Sequence, residues 1–234
     1  MRLVGTDDRV RYYETAWGAL PGVAPSAAHL ANTANAYDAI AVQYTEFTQG
    51  VLAAFPLDRA FLDAFADTVL ANGAGRVAEL GCGPGYVAAH LAGRGLDVFG
   101  VDLSPTMVDI ARATYPEVRF DVGSMDALDL PAGALNGIVC WYSTIHAPPE
   151  VMPTYLAEFR RLLTPGGHLA IGFIESEGGP LTSFDHKVVE AYRWPVDELA
   201  GLAGDAGFVE VGRMLREPAE DERFRRGNLL LRRN

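Results

Sequence analysis

The sequence has almost no lysine: of nineteen basic residues, only Lys187 is not an arginine. It lies outside any Gly-Lys-Ser/Thr context, which excludes a phosphate-cradling P-loop and leaves Schiff-base chemistry a single candidate. Cysteine is equally scarce. Cys82 and Cys140 share no metal-ligand spacing with the five histidines, so neither a disulfide framework nor a structural zinc site fits, and a reducing cytoplasm is the expected compartment. No apolar run approaches the ~20 residues of a membrane span. The N-terminus carries charges where a signal peptide needs its apolar stretch, so neither export nor a membrane partner is expected. Positive charge is in deficit overall. The formal net charge of −11 has the wrong sign for neutralising phosphates and argues against nucleic acid as a partner.

What is present fits a globular protein. The 234 residues are 49% hydrophobic and 21% charged, enough for one large domain or two small ones. Apolar residues recur at helical spacing from about 27 to 52 (Tyr37, Ile40, Tyr44, Phe47, Val51), and a second amphipathic stretch follows Pro56 and stops at Asn72-Gly73. Residues 1–34 carry Tyr12, Tyr13 and Trp17 but no legible periodicity. The pattern then changes to short apolar runs near 76–80, 97–102, 117–122, 135–141 and 167–174, alternating with helical stretches near 86–93, 105–114 and 150–163. That alternation predicts a parallel sheet with crossover helices. Ser104 before Pro105 is a helix start, and Pro165-Gly166-Gly167 a terminator. An irregular stretch runs from Glu175 to Trp194. A helix over 195–205 and two strands, 208–214 and 228–231, follow it and are read as an antiparallel pair closing the sheet. The arginines of this tail (Arg213, Arg216, Arg223, Arg225, Arg226, Arg232, Arg233) are partly offset by Glu217, Glu220, Asp221 and Glu222 and read as a solvated face.

The most informative segment is Glu79-Leu80-Gly81-Cys82-Gly83-Pro84-Gly85-Tyr86, in which a strand runs into three glycines at alternating positions and then a helix. Such a turn brings backbone N–H groups against a ligand with no Cβ in the way. The next strand ends in Asp102, twenty-one residues after Gly81, where a carboxylate can accept both hydroxyls of a ribose. The dinucleotide fingerprint wants its third glycine where Tyr86 stands, and Pro84 removes an N–H from the helix start; both disfavour NAD.

With Glu79 two residues before the first glycine, the segment resembles motif I of class I S-adenosylmethionine-dependent methyltransferases, and the resemblance extends over roughly residues 35–233. Asp102 matches the family's ribose-binding acid, and Ser104-Pro105-Thr106-Met107 the stretch after it. Asp121 to Pro131 is similar to the adenine-side loop, with Ser124 where an aspartate is usual. Leu163-Thr164-Pro165-Gly166-Gly167 resembles the segment before the fifth strand. The resemblance implies a Rossmann-like α/β fold with a seven-stranded, mostly parallel sheet, an antiparallel last strand and an N-terminal helical lid. It also implies one domain over 1–234, with residues 1–73 as lid and 74–234 as core. The implied cofactor is S-adenosyl-L-methionine, with S-adenosyl-L-homocysteine as product. Its implied contacts are Tyr37, Tyr44, Glu79, Gly81, Cys82, Gly83, Gly85, Asp102, Leu103, Met107, Gly123, Ser124, Met125, Trp141 and Ser143. Similarity to the ubiquinone-type and natural-product subgroup implies a small-molecule acceptor and a monomer or homodimer.

The fourth strand delivers Cys140 to His146 to the edge that in this family faces the transferred methyl group. It holds neither the Asn/Asp-Pro-Pro-Tyr/Phe sequence of base-methylating members nor a carboxylate for a metal, so no catalytic metal is expected. His146 is either a general base or a packed residue at the turn before Pro148. Tyr37 and Tyr44, two helical turns apart, either close over the cofactor or pack in the core. Cys82 has no histidine beside it to activate a thiolate. Phe184, His186, Tyr192 and Trp194 mark the irregular stretch as a candidate acceptor pocket or a surface connection. The rival readings are an NAD-dependent oxidoreductase and a non-catalytic S-adenosylmethionine-binding protein.

Overall fold

The computed structural model describes residues 2–7, 10–14, 22–73, 75–220 and 222–234. Its elements in chain order are β1 (Arg2–Asp7), β2 (Val10–Glu14), α1 (Ala27–Thr48), α2 (Val51–Ala54), α3 (Pro56–Ala71), β3 (Arg76–Leu80), α4 (Tyr86–Gly93), β4 (Asp97–Asp102), α5 (Pro105–Thr114), β5 (Arg119–Val122), β6 (Leu135–Trp141), a 3-10 turn (Thr144–His146), α6 (Met152–Leu162), β7 (Leu163–Glu175), β8 (Thr182–Asp185), β9 (Glu190–Trp194), α7 (Val196–Asp205), β10 (Phe208–Arg216) and β11 (Arg226–Arg233).

The predicted α/β core is present. Strands β5-β4-β3-β6-β7 pair in parallel in that order; β11 lies antiparallel on β7, and β10 antiparallel on β11. These strands read as near-continuous apolar runs because both faces of the sheet are covered. On one face Leu62, Phe65 and Val69 of α3 pack with Val87 and Leu91 of α4 and Val108 of α5. On the other, Leu156 and Phe159 of α6 pack with Leu199 and Leu202 of α7. The chain order reverses at β3, whose neighbours are β4 and β6. At such a switch point the loops leaving two adjacent strands diverge and open a crevice at their carboxyl ends.

The sheet extends beyond the seven expected strands. The end of β7 pairs with β9 (Ile174 with Arg193, Glu175 with Trp194), β9 with β8, β8 with β2 and β2 with β1, giving eleven strands among the described residues. The stretch read as irregular is therefore the hairpin β8–β9, and the segment expected to be a helical cap begins with two strands. Trp17 lies outside the described residues. Pro165-Gly166-Gly167 also differs from expectation: it lies inside β7, because Leu163 already pairs with Leu135 and the register shifts before Gly137.

Local chemistry fixes the helix ends that matter for the cleft. Ser26 caps α1 by accepting from the His29 N–H, and Ser104 caps α5 by accepting from the Met107 N–H, with Pro105 at the first helical position as predicted. Phe55 and Pro56 start α3, whose Asp58 reaches β10. There the tail departs from a solvated face: the Arg216 guanidinium is buried and forks onto both oxygens of Asp58 (3.0 and 3.2 Å) and both of Glu222 (2.6 and 2.9 Å). Among the described residues no helix is long and apolar enough to cross a membrane.

Candidate functional site

The glycine turn leaves β3 with three left-handed residues, Gly81 (φ 73°), Gly83 (φ 50°) and Gly85 (φ 85°), each constrained differently. A Cβ on Gly81 would lie 2.3 Å from the Ser143 Cβ, and one on Gly85 would lie 2.6 Å from the Phe120 ring. These two are held by close packing. A Cβ on Gly83 would make only an ordinary van der Waals contact, 3.8 Å from the Tyr44 ring, so Gly83 is the one of the three that close packing does not hold. The Gly81 and Cys82 N–H groups donate to the Val101 carbonyl, tying the turn to the end of β4.

Asp102 ends β4 and closes this wall. Its Oδ2 accepts from the Gly83 N–H at 2.7 Å and its Oδ1 from the Ser104 N–H at 2.9 Å. Burial raises its carboxyl above the ordinary range despite these bonds. Ser104 donates in turn to Asp38 of α1, which also accepts from the Thr106 N–H at 3.0 Å.

The opposite wall is the end of β6. Trp141 sits against Phe61 and Tyr142, with ring centroids 6.2 and 5.1 Å away. Tyr142 adopts φ 53°, an uncommon conformation for a bulky residue and one that clusters at functional sites. The Ser143 hydroxyl donates to the Leu80 carbonyl at 2.6 Å. His146, 5% exposed, closes the 3-10 turn. Its Nδ1 lies 3.0 Å from the Glu190 carbonyl and its Nε2 2.7 Å from the Tyr37 hydroxyl. A carbonyl only accepts, so Nδ1 carries the proton and Nε2 accepts from Tyr37. Burial, then His186, pushes the imidazole down to about 4, which keeps it neutral.

Between the walls lies a cleft of about 620 Å³, including its open mouth. Twelve residues expected at a site meet in its lining: Tyr37, Tyr44, Gly81, Gly83, Asp102, Leu103, Met107, Gly123, Met125, Trp141, Ser143 and His146. Four others do not. Glu79 is buried behind the turn, where its Oε2 accepts from the Ala88 N–H at 2.7 Å, filling an otherwise orphaned donor at the start of α4. Cys82 is buried, and burial pushes its thiol well up, leaving no thiolate. Gly85 packs against Phe120, and the Ser124 hydroxyl donates to Asp126.

Thr33, Ala34 and Tyr142 also line the cleft and carried no sequence signal. Tyr142 follows Trp141 directly, and strand alternation sends neighbouring side chains to opposite faces; only its left-handed backbone brings both to one cleft. His186, expected near an acceptor, lies one layer back, with its ring centroid 5.0 Å from that of His146. Phe184, Tyr192 and Trp194 are buried in the fold. Among the described residues no three His, Cys, Asp or Glu side chains gather to hold a metal ion.

Residues 77–167, which span both walls of the cleft, match the family model described as methyltransferase domain. These residues form a methyltransferase domain. The domain resembles an uncharacterized methyltransferase of Mycobacterium tuberculosis, at 33% identity over 110 residues, 45% of this chain and 42% of that protein. The S-adenosyl-L-methionine-dependent Diels-Alderase iccD of Talaromyces variabilis is 31% identical over 192 residues, 70% of this chain and 64% of that protein. The chain thus spans less than two thirds of the length of these curated relatives. Among solved structures, the Burkholderia thailandensis 1,6-didemethyltoxoflavin-N1-methyltransferase, with 1,6-didemethyltoxoflavin and S-adenosylhomocysteine bound, superimposes with a TM-score of 0.65. That match is 24% identical and covers 100% of both chains, so it shows that the methyltransferase domain and its flanking segments share one fold with that protein.

Proposed function

We propose that the chain is an S-adenosylmethionine-dependent methyltransferase acting on a small-molecule metabolite at O, N or C. The observation that carries this reading is the meeting of Gly83 and Asp102 on one wall of the cleft. A cleft-lining glycine that no close packing holds stands beside a carboxylate at the end of the second core strand. That cradle fits the cofactor's amino-acid and ribose portions. Gly81, Gly83 and Ser143 would hold the first, Asp102 the second, and Leu103, Met107, Gly123 and Met125 the adenine. The bound cofactor supplies an electrophilic methyl group on a sulfonium.

The protein's own part is binding, alignment and exclusion of water. With both His146 nitrogens in hydrogen bonds, no lone pair on it is left for a substrate proton. Rate enhancement therefore rests on holding a ready nucleophile in line, a source that can be large without acid or base. The names of two relatives agree with a metabolite acceptor: demethylmenaquinone methyltransferase of Beutenbergia cavernae and the 1,6-didemethyltoxoflavin-N1-methyltransferase above are both named for small molecules. We place the protein in the cytoplasm as one domain, a monomer or homodimer, with neither nucleic acid nor membrane as partner.

Calorimetry with S-adenosylhomocysteine and with NAD, then transfer of labelled methyl to a metabolite panel, tests the reading. Binding of the first with no heat from NAD, followed by label in an acceptor, is the expected outcome. Binding without transfer to any acceptor would favour a non-catalytic role, and NAD binding would overturn the reading.

A further inference from the structure

Helix α1 lines the cleft with Thr33, Ala34, Tyr37 and Tyr44 and touches both walls with adjacent residues. Asp38 accepts from the Ser104 hydroxyl and the Thr106 N–H on the β4–α5 side, and Tyr37 donates to His146 on the β6 side. Consecutive helical residues point about 100° apart, so this pair can reach two walls at once. We propose that His146 is a positioning residue: through Tyr37 it fastens α1 across the cleft, as one half of a two-point clasp whose other half is Asp38 on Ser104 and Thr106.

The rest of α1 gives the clasp its weight. Of its 22 residues only Ala41 and Thr48 are buried, whereas α3 buries five of 16. A helix with so little apolar anchorage belongs to the part of a protein that opens first, and a few polar bonds then set how often it opens. The Tyr37–His146 bond is suited to this work. It lies among the edge-on rings of Tyr44 and His186, with centroids 5.6 Å from Tyr37 and 5.0 Å from His146, where water competes poorly for the donor and acceptor. His146 is itself fixed from behind by Glu190, so the anchor on the β6 side does not turn with the helix. Release of α1 would uncover Tyr37 and Tyr44 together and open the cleft from above.

Hydrogen–deuterium exchange on the ligand-free full chain tests the clasp, with α3 amides as an internal control of folding. His146→Ala and Tyr37→Phe should each speed exchange across α1 by about tenfold and leave α3 unchanged. His146→Gln should restore protection, since its side-chain carbonyl can accept from Tyr37 while offering no base. The Tyr37→Phe/His146→Ala double variant should be no more labile than either single variant. S-adenosylhomocysteine should leave the two single variants faster in the same proportion. Unchanged α1 exchange in Tyr37→Phe, no rescue by Gln, or additive losses would overturn the clasp. If His146→Ala does not fold, Tyr37→Phe and His146→Gln decide. The clasp rests on the methyltransferase reading only where S-adenosylhomocysteine is the probe. Failure of the parent protein to bind it would count against that reading, and the exchange experiment would still decide the clasp.

Discussion

Gly83 and Asp102 stand 19 residues apart in sequence and meet through a 2.7 Å hydrogen bond in which the turn's N–H donates to the carboxylate. The bond fixes the carboxylate's orientation within a cleft where the acid is otherwise desolvated. Asp102→Ala should therefore remove both a ligand acceptor and the brace of the turn. Charged hydrogen bonds contribute about 1.5 to 3 kcal/mol, so calorimetry should show S-adenosylhomocysteine affinity falling by about ten- to a hundredfold. An unchanged affinity would remove Asp102 from the site.

Gly81 and Gly83 should respond differently to alanine. Gly81→Ala and Gly83→Ala share the cost of a left-handed side chain, about 1 to 2 kcal/mol. Only Gly81→Ala also drives a Cβ against Ser143. Urea titration should show Gly81→Ala to be the more destabilising, by a further 1 kcal/mol or so. Gly83→Ala should lose ligand binding out of proportion to stability.

Stability should fall with acid through His146. Its folded value of about 4 lies below the ordinary 6.5, so the unfolded chain binds the extra proton first. The stabilisation is complete above about pH 6.5 and is lost as pH falls toward 4, roughly 3 kcal/mol in all. His168 and His186, both pushed down chiefly by burial, act in the same direction. Denaturation midpoints measured from pH 7.5 to 4 should slope less in His146→Gln than in the parent. Parallel curves would show that this imidazole is not held neutral.

The buried Arg216 network offers a test of how the tail joins the helical side of the fold. Asp58→Asn leaves one arm of the guanidinium fork without its charge partner. Breaking such a pair costs about 3 kcal/mol. Glu222, held down at about 2 by Arg216, the Ala219 N–H and Arg226 against the opposing effect of burial, keeps its charge in that variant. Thermal melting read by far-UV dichroism should show the loss, with S-adenosylhomocysteine affinity unchanged at temperatures where the variant is folded.

The core strands were legible because burial on both faces makes each a short apolar run. The candidate site was legible wherever backbone demanded a residue type: glycines at Gly81 and Gly83, the cap at Ser104, the acid at Asp102. What stayed hidden depended on partners distant in sequence. Thr182–Asp185 is four residues long and is a strand only because β9 and β2 pair with it on either side. Tyr142 enters the cleft through a backbone angle that no side-chain pattern announces. Arg216 looked solvated because its acid partner Asp58 lies 158 residues earlier.

The N-terminal hairpin has reach beyond the edge it covers. Val10, Arg11 and Tyr12 register against Phe184, Ser183 and Thr182 of β8, and Asp185 of β8 registers against Glu190 of β9. The Glu190 carbonyl decides which nitrogen of His146 keeps its proton, and so which one faces Tyr37. A ladder of main-chain pairs thus runs from the first dozen residues of the chain to the tautomer of one imidazole. Trimming the hairpin would be felt at that ring before it was felt anywhere in the glycine turn.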